Sequence, residues 1–107
     1  MGEQQPDIEV KFYFNKTRRY PALDGYRPMH LVKKGYLTSG THHYYSDVSL
    51  PPGGSADGTI TFISPESYPH CLWIGKRIQI QEGERIVGYA VVKRIFNELL
   101  RRDLPLL

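Results

Sequence analysis

The sequence predicts an all-β domain, and three observations support this prediction. The chain has 107 residues, of which 12% are aromatic and eight are tyrosine, a composition that favours strands over helices. Ten glycines and eight prolines supply many turn residues. Several short apolar segments are separated by turn clusters, which is typical of a small barrel or sandwich. Because a chain of this length has room for one core, we expect a single domain over residues 1–107.

The first half of the chain is expected to contain short strands and a long loop. Alternation over residues 7–15 predicts a strand with one buried face. That face would consist of Ile8, Val10, Phe12 and Phe14. Residues 15–28 are polar and interrupted by prolines, which predicts a surface loop. Residues 29–33 form a short strand candidate, residues 35–40 carry turn residues, and the alternation over residues 41–50 is weaker.

The middle of the chain combines a chain reversal, a strand and an irregular segment. The run Pro-Pro-Gly-Gly-Ser at residues 51–55 predicts the reversal. Residues 59–63 have strand composition, with Ile60 and Phe62 on one face. Residues 64–75 contain two prolines and are expected to be irregular, with the apolar residues 72–74 turned inward.

The clearest hairpin is predicted over residues 77–95. Its turn would lie at Glu82-Gly83, because Gly83 can take a positive φ. Gly88 inside the returning strand predicts a bulge or a close backbone contact. Residues 97–102 have helical propensity, enough for at most two turns that can dock back on the domain.

No catalytic, cofactor or metal site is expected. The segment from Gly53 to Thr59 imitates a phosphate-binding loop, but Thr59 occupies the place of the lysine that such a loop needs, so a hairpin turn is the better interpretation. Adjacent residues of a strand point to opposite faces, so neither His42-His43 nor His70-Cys71 forms a ready pair of zinc ligands. His30 and the other histidines are interpreted as surface or core residues. Cys71 is interpreted as a small buried thiol rather than a nucleophile, and no small-molecule substrate is expected.

Composition also narrows the location and the kinds of partner. The single cysteine excludes a disulfide within the chain, and the polar N-terminus lacks the apolar core of a secretory signal. No run approaches the roughly 18 apolar residues of a membrane-spanning helix, so we expect a cytoplasmic protein with no membrane partner. A net charge of +3 and a pI near 9.1 permit an acidic partner without requiring one.

Basic residues and tyrosines are interleaved in the first third of the chain. They are Lys16, Arg18, Arg19, Arg27, Lys33 and Lys34, with Tyr13, Tyr20, Tyr26 and Tyr36. Cations beside aromatic rings suit phosphates, ribose and bases, although a solvated rim has the same composition. A second basic group near the C-terminus fits an interaction tail or a solvated helix face. Its members are Lys93, Arg94, Arg101 and Arg102.

Two motifs in the right order resemble the C-terminal (third) domain of bacterial elongation factor Tu. They are Gly25-Tyr26-Arg27-Pro28, which enters a strand, and the segment GKRIQIQEGERIVGYAVV at residues 75–92. The resemblance extends over about residues 7–96 and implies a closed antiparallel barrel of six strands without catalytic residues. Residues 97–107 would then be a C-terminal extension.

The resemblance also implies where a partner would bind. The family's domain helps to grip the T-stem of aminoacyl-tRNA and packs on a GTPase domain. The implied contact positions that this sequence keeps are Thr38, Glu82 and Gly83, and Arg27 of the first motif is a further candidate contact. Met29 stands where the family has glutamine and Ser64 where it has lysine, and residues 41–46 and 66–74 differ from the family.

Two classes of function are therefore expected, with protein binding slightly favoured because two RNA-facing side chains are replaced. In the first, the domain is a translation-factor mimic, regulator or immunity-type protein that binds a toxin, a GTPase or a translation factor, with exposed Tyr44, Tyr45, Tyr68 and Trp73 as anchors. In the second, it binds tRNA or another structured RNA. The candidate contact residues for either partner are Arg27, Met29, Thr38, Glu82, Gly83, Tyr44, Tyr45, Tyr68 and Trp73. A small enzyme using Cys71 or a histidine is the third class, and no effect of replacing Cys71 is expected.

Overall fold

Six strands form a closed antiparallel barrel in the computed structural model, which describes residues 5–17, 20–46 and 49–103. The described residues form eight strands in all, which are β1 (Ile8–Phe14), β2 (Ala22–Leu23), β3 (Met29–Lys33), β4 (Tyr36–Tyr44), β5 (Ser49–Leu50), β6 (Ser55–Phe62), β7 (Arg77–Glu82) and β8 (Arg85–Ile95). The barrel order is β1-β6-β4-β3-β7-β8, and β8 pairs with β1 to close it. The short strands β2 and β5 pair as a separate ribbon. The predicted all-β class and six-stranded barrel are confirmed.

The alternation of inward-facing and outward-facing side chains along the strands explains which residues form the core. In β1 every second residue is buried, and these are the four apolar residues predicted from the sequence. Ile60 and Phe62 of β6 and Ile78 and Ile80 of β7 meet them inside the barrel, where they are at most 1% exposed. Closing the sheet gives every strand two neighbours and removes the exposed edge that an open sheet would present.

The predicted hairpin and its glycines are confirmed. β7 and β8 pair with a register shift between Ile80 and Gln81, and Gly83 in the turn has φ +59°. A Cβ atom at Gly88 would lie 2.2 Å from the carbonyl oxygen of Tyr13. Gly88 therefore permits the close approach of β8 to β1.

Several local predictions were wrong. Residues 36–40 belong to β4 rather than to a turn, because the inward-facing residues of this strand include Thr38, Gly40 and His42, which hydropathy does not mark as a buried face. β6 begins at Ser55, so most of the segment taken as a hairpin turn is strand. Ile74, expected to turn inward, is exposed.

The C-terminal segment is docked, with one short 3₁₀ turn at Glu98–Leu100. Asn97 accepts a hydrogen bond from the Leu99 amide at the start of this turn, and Leu100 is fully buried. A second 3₁₀ turn covers Pro65–Ser67. The predictions that fall on Arg18, Arg19, Val48 and residues 104–107 lie outside the described residues.

Antiparallel order defines two ends of the barrel. β1 begins and β8 ends at what we call the lower end, where the β3–β4 turn, residues 63–76 and the C-terminal segment 97–102 also lie. The upper end holds the β7–β8 turn and the end of β1. This arrangement brings residues distant in sequence together at the lower end.

Candidate nucleic-acid interface

The predicted cluster of basic residues is divided between different parts of the surface. Lys33 and Lys34 lie at the lower end, whereas Lys16 lies beside Gly53 at the upper end. Arg27 lines a small cavity of about 150 Å³ on the outside of β4 and β6, where its Nε donates to Thr41 Oγ1 at 3.3 Å. The described residues therefore do not form the single cluster that the sequence indicated.

A larger basic groove is formed at the lower end instead, with a volume of about 510 Å³. The β3–β4 turn, the loop before β7 and the C-terminal segment all contribute to it. Its lining residues are Leu31, Lys33, Lys34, Pro69, His70, Cys71, Trp73, Lys76, Arg77 and Arg102. Five of them are lysine or arginine and none is acidic, which creates a strongly positive local potential.

Lys76 is held firmly in the wall of this groove. Its Nζ donates to the carbonyl oxygens of Val32 at 2.5 Å and Cys71 at 2.7 Å. The same atom lies 4.5 Å from the centre of the Trp73 ring, a cation–π distance. Burial lowers the pKa of Lys76, and the nearby Arg102 charge lowers it further. An anion in the groove would favour the charged form of this lysine.

Arg102 approaches the same tryptophan from the C-terminal segment. Its guanidinium carbon lies 5.8 Å from the centre of the Trp73 ring, and its backbone amide donates to the Leu72 carbonyl at 2.7 Å. Trp73, the only tryptophan in the chain, is half-buried. The ring thus holds two cations near one another at the mouth of the groove.

A row of side chains on the outer surface continues from the groove through Arg77. The Arg77 guanidinium lies 3.7 Å from the centre of the Tyr89 ring, which stacks on Tyr13 with 4.8 Å between ring centres. Lys11 lies 5.5 Å from the Tyr13 ring. Tyr13 and Tyr89 are direct partners in the β1–β8 ladder, so the strand register fixes their stacking. We call Arg77, Tyr89, Tyr13 and Lys11 the cation–tyrosine stack.

Three cations elsewhere in the described residues are paired with carboxylates. Lys93 lies 3.1 Å from Asp57, Arg94 lies 3.4 Å from Glu9, and Arg101 lies 2.6 Å from Glu98. Within the described residues, none of the groove cations or of those in the stack makes such an ion pair. The groove and the stack thus bring together six cations that have no carboxylate partner in the described residues.

Two of the four predicted aromatic anchors are buried, which corrects the expectation that they are exposed. Tyr44 is 2% exposed and Tyr68 is 0% exposed. Tyr44 belongs to the inward face of β4, and the Tyr68 hydroxyl accepts a hydrogen bond from Thr38 Oγ1 at 3.0 Å. Thr38 is itself buried, so its side chain is also unavailable to a partner.

The remaining predicted residues lie on different surfaces. Tyr45 is 49% exposed, and its hydroxyl donates to Glu9 Oε2 at 2.7 Å. Burial, followed by Glu9, raises its pKa to about 12. Glu82 and Gly83 are at the upper end, where Glu82 accepts from the Tyr26 hydroxyl at 2.5 Å. Met29 is half-buried on β3, next to Gln81 of β7. Only Trp73 of the predicted set lines the groove.

Sequence analysis missed Lys76, Arg77, Tyr89 and the role of Lys11. Lys76 and Arg77 are adjacent in sequence and precede the hairpin, while Lys11 occupies the outward phase of β1. Aligning the outward residues of β1, β7 and β8 would have revealed the stack. That alignment requires knowing that β1 pairs with β8, and no short stretch of the sequence indicates this pairing.

Chemistry of other kinds would depend on Cys71 or on clustered metal ligands. Cys71 is buried, and burial raises the pKa of its thiol, which disfavours the reactive thiolate. No group of three or more potential metal-ligating side chains is found in the described parts of the chain. In those same parts, no helix has the length and apolar character needed to span a membrane.

The chain matches no protein-family model and no curated protein sequence.

Proposed function

We propose that this protein is a non-catalytic module that binds structured RNA through the basic groove and the cation–tyrosine stack. The observation that carries the proposal is a continuous surface with six cations and three aromatic rings, on which no described cation is paired with a carboxylate. Phosphate neutralisation by lysine and arginine dominates the affinity of proteins for nucleic acids. The resemblance to the third domain of elongation factor Tu implies contact with a tRNA stem and so supports RNA as the class of ligand. The implied positions Glu82 and Gly83 lie at the upper end, so the groove is proposed from its own cations and not from the resemblance. We place the activity in the cytoplasm.

The geometry of the stack favours contact with the RNA backbone over contact with unpaired bases. One face of Tyr89 is covered by Tyr13, and Arg77 at 3.7 Å must cover the other face, because it does not fit between rings 4.8 Å apart. Tyr89 therefore has no free face on which a base could stack. The cations remain available to phosphates, and phenol groups can bind ribose hydroxyls.

Removing charge from the groove tests this proposal. The double variant Lys33→Gln/Arg102→Gln should bind bulk tRNA about tenfold or more weakly than the unchanged protein, and its log Kd should depend less steeply on log salt by about one unit per lost phosphate contact. Binding is measured by mobility shift from 50 to 200 mM salt.

The matched control is Lys93→Gln/Arg94→Gln, which removes the same charge from paired cations on another part of the barrel. It should retain most of the affinity. Equal loss in both variants would mean that only net charge matters, and absence of any tRNA binding at low salt would refute the proposal.

Binding of a protein partner, such as a toxin, a GTPase or a translation factor, is the second candidate. It is supported by exposed apolar residues near the lower end, namely Ile63, Ile74, Phe96 and Leu99. If a partner docks on them, nuclease treatment should leave the complex intact, and Phe96→Ser should disrupt it. A complex lost on nuclease treatment supports RNA binding instead.

A further inference from the structure

We infer that the basic groove is a phosphate-binding site completed by the C-terminal segment 97–102, and that phosphate bound there locks this segment onto the barrel. The inference rests on the proposed function for its natural ligand, the phosphates of a bound RNA. The same cations would also recognise the phosphate of a small metabolite, so the experiment must separate the two sources.

Backbone hydrogen bonds attach the segment to the loop that carries Trp73. The His70 amide donates to Leu99 O at 2.8 Å, the Leu72 amide donates to Leu100 O at 2.9 Å, and the Arg102 amide donates to Leu72 O at 2.7 Å. A parallel bridge joins Leu72 and Arg101. Movement of the segment would therefore break these bonds and remove Arg102 from the groove.

The groove cations come from three separate segments. Lys33 ends β3 and Lys34 follows it, Lys76 and Arg77 precede and begin β7, and Arg102 belongs to the C-terminal segment. Docking of the segment brings Arg102 toward the cations already there. An anion between them would convert this repulsion into attraction and favour the docked arrangement.

The donors suit phosphate in particular. The guanidinium group of Arg77 or of Arg102 can donate two parallel hydrogen bonds to two oxygens of one phosphate. A lysine ammonium group beside it acts as a point charge. The groove volume of about 510 Å³ lies in the range of ligand pockets and leaves space for a ribose attached to the phosphate. Linkage requires that, if phosphate stabilises the docked segment, docking strengthens phosphate binding by the same factor.

Amide hydrogen exchange tests the coupling directly. Addition of inorganic phosphate, at ionic strength matched with sodium chloride, should slow exchange of the His70, Leu72 and Arg102 amides by about fivefold or more, a usual size for such coupling. Fluorescence of Trp73 measures phosphate binding in parallel, since no other tryptophan contributes. A shift in fluorescence without slower exchange would overturn the inference, and so would the absence of both responses.

Arg102→Gln should lose the added protection and bind phosphate about tenfold more weakly, whereas the matched Arg94→Gln variant should behave like the unchanged protein. Both variants are checked for folding by circular dichroism. Since Arg102→Gln could destabilise the segment by itself, Lys34→Gln supplies a second variant outside it. Retention of full protection in both groove variants would overturn the inference.

Ribose 5-phosphate and a duplex RNA distinguish the two sources of phosphate. Slower exchange with duplex RNA at micromolar concentration, but not with ribose 5-phosphate at the same concentration, identifies the RNA backbone as the source, and the reverse result identifies a metabolite. RNA binding with unchanged exchange would overturn the inference while leaving the proposed function intact. Protection by phosphate without RNA binding would refute the proposed function and leave the phosphate site and its coupling standing.

Discussion

At the residue scale, two histidines inside the barrel form an ordered chain of hydrogen bonds. His30 Nδ1 lies 3.2 Å from the Thr38 carbonyl, which can only accept, so this nitrogen carries the proton. His30 Nε2 then accepts from His42 Nε2 at 2.8 Å, and His42 Nδ1 accepts from the Tyr44 hydroxyl at 3.0 Å. Every bond in this chain is satisfied with both rings neutral, which explains how buried polar groups are tolerated there.

This arrangement predicts that acid destabilises the protein. Burial lowers the pKa of His30 from 6.5 to about 4, so the unfolded state binds the proton first as the pH falls. The stabilisation present above pH 6.5 should therefore be lost between pH 6.5 and 4, by about 3 kcal/mol in the free energy of unfolding. Urea denaturation at pH 7.5, 5.5 and 4.0 measures this loss.

Two variants isolate the contribution of His30 to that pH dependence. His30→Gln removes the titrating ring and should flatten the curve, even though it lowers stability at pH 7.5. His43→Gln removes an exposed imidazole from the neighbouring strand β4 and should change the slope less than His30→Gln does. Equal slopes in His30→Gln and the unchanged protein would contradict the assignment.

Short-range sequence patterns predicted some of the buried residues and one of the turns of the barrel. The alternating apolar residues of β1 and the positive φ of Gly83 follow from short-range patterns and are confirmed. Tyr44 and Tyr68 were wrongly expected to be exposed because tyrosine is common on both surfaces and interiors. The Tyr68 hydroxyl is hydrogen-bonded to Thr38 of β4, and the Tyr44 hydroxyl is hydrogen-bonded to His42, which also faces inward on β4. Local sequence shows neither contact.

At the element scale, the closing of the barrel depends on the approach of β8 to β1. The sequence indicated the hairpin of β7 and β8 and a close contact at Gly88, but not the partner strand. The partner is β1, whose Tyr13 carbonyl oxygen would lie 2.2 Å from a Cβ atom at Gly88. The same pairing places Tyr13 against Tyr89 and so builds the stack on the outer surface.

Gly88→Ala should therefore destabilise the protein by about 2–3 kcal/mol, because the backbone of β1 must move to accept the added methyl group. Chemical denaturation provides the measurement. Gln79→Ala, a partly exposed position on β7, is the control and should cost less than about 1 kcal/mol. A cost for Gly88→Ala no larger than that of the control would show that the two strands separate easily.

At the scale of the whole molecule, the C-terminal segment covers the lower end of the barrel. Leu100 is 0% exposed, while its neighbour Leu99 is 41% exposed. Asp7 links the segment to the barrel, since its carboxylate accepts from Asn97 Nδ2 at 2.8 Å and from the Phe62 amide at 2.7 Å. The segment is thus part of the packed structure.

Leu100→Ala should lower the free energy of unfolding by about 2–4 kcal/mol, because it removes buried methyl groups and leaves a cavity. Leu99→Ala is an adjacent control of identical chemistry and should cost less than about 1 kcal/mol. Thermal and urea denaturation of both variants provide the comparison. Similar costs for the two leucines would contradict the docked arrangement.

The sequence by itself determined β1, β3, the hairpin of β7 and β8 and the all-β class, because alternation and turn chemistry act over a few residues. It also set the net charge of +3. Only the tertiary structure decided which cations share a surface, since Lys33, Lys76 and Arg102 are brought together by strand pairing and by docking of the C-terminal segment. Contacts between residues so far apart depend on the closed barrel as a whole, and no local pattern encodes them.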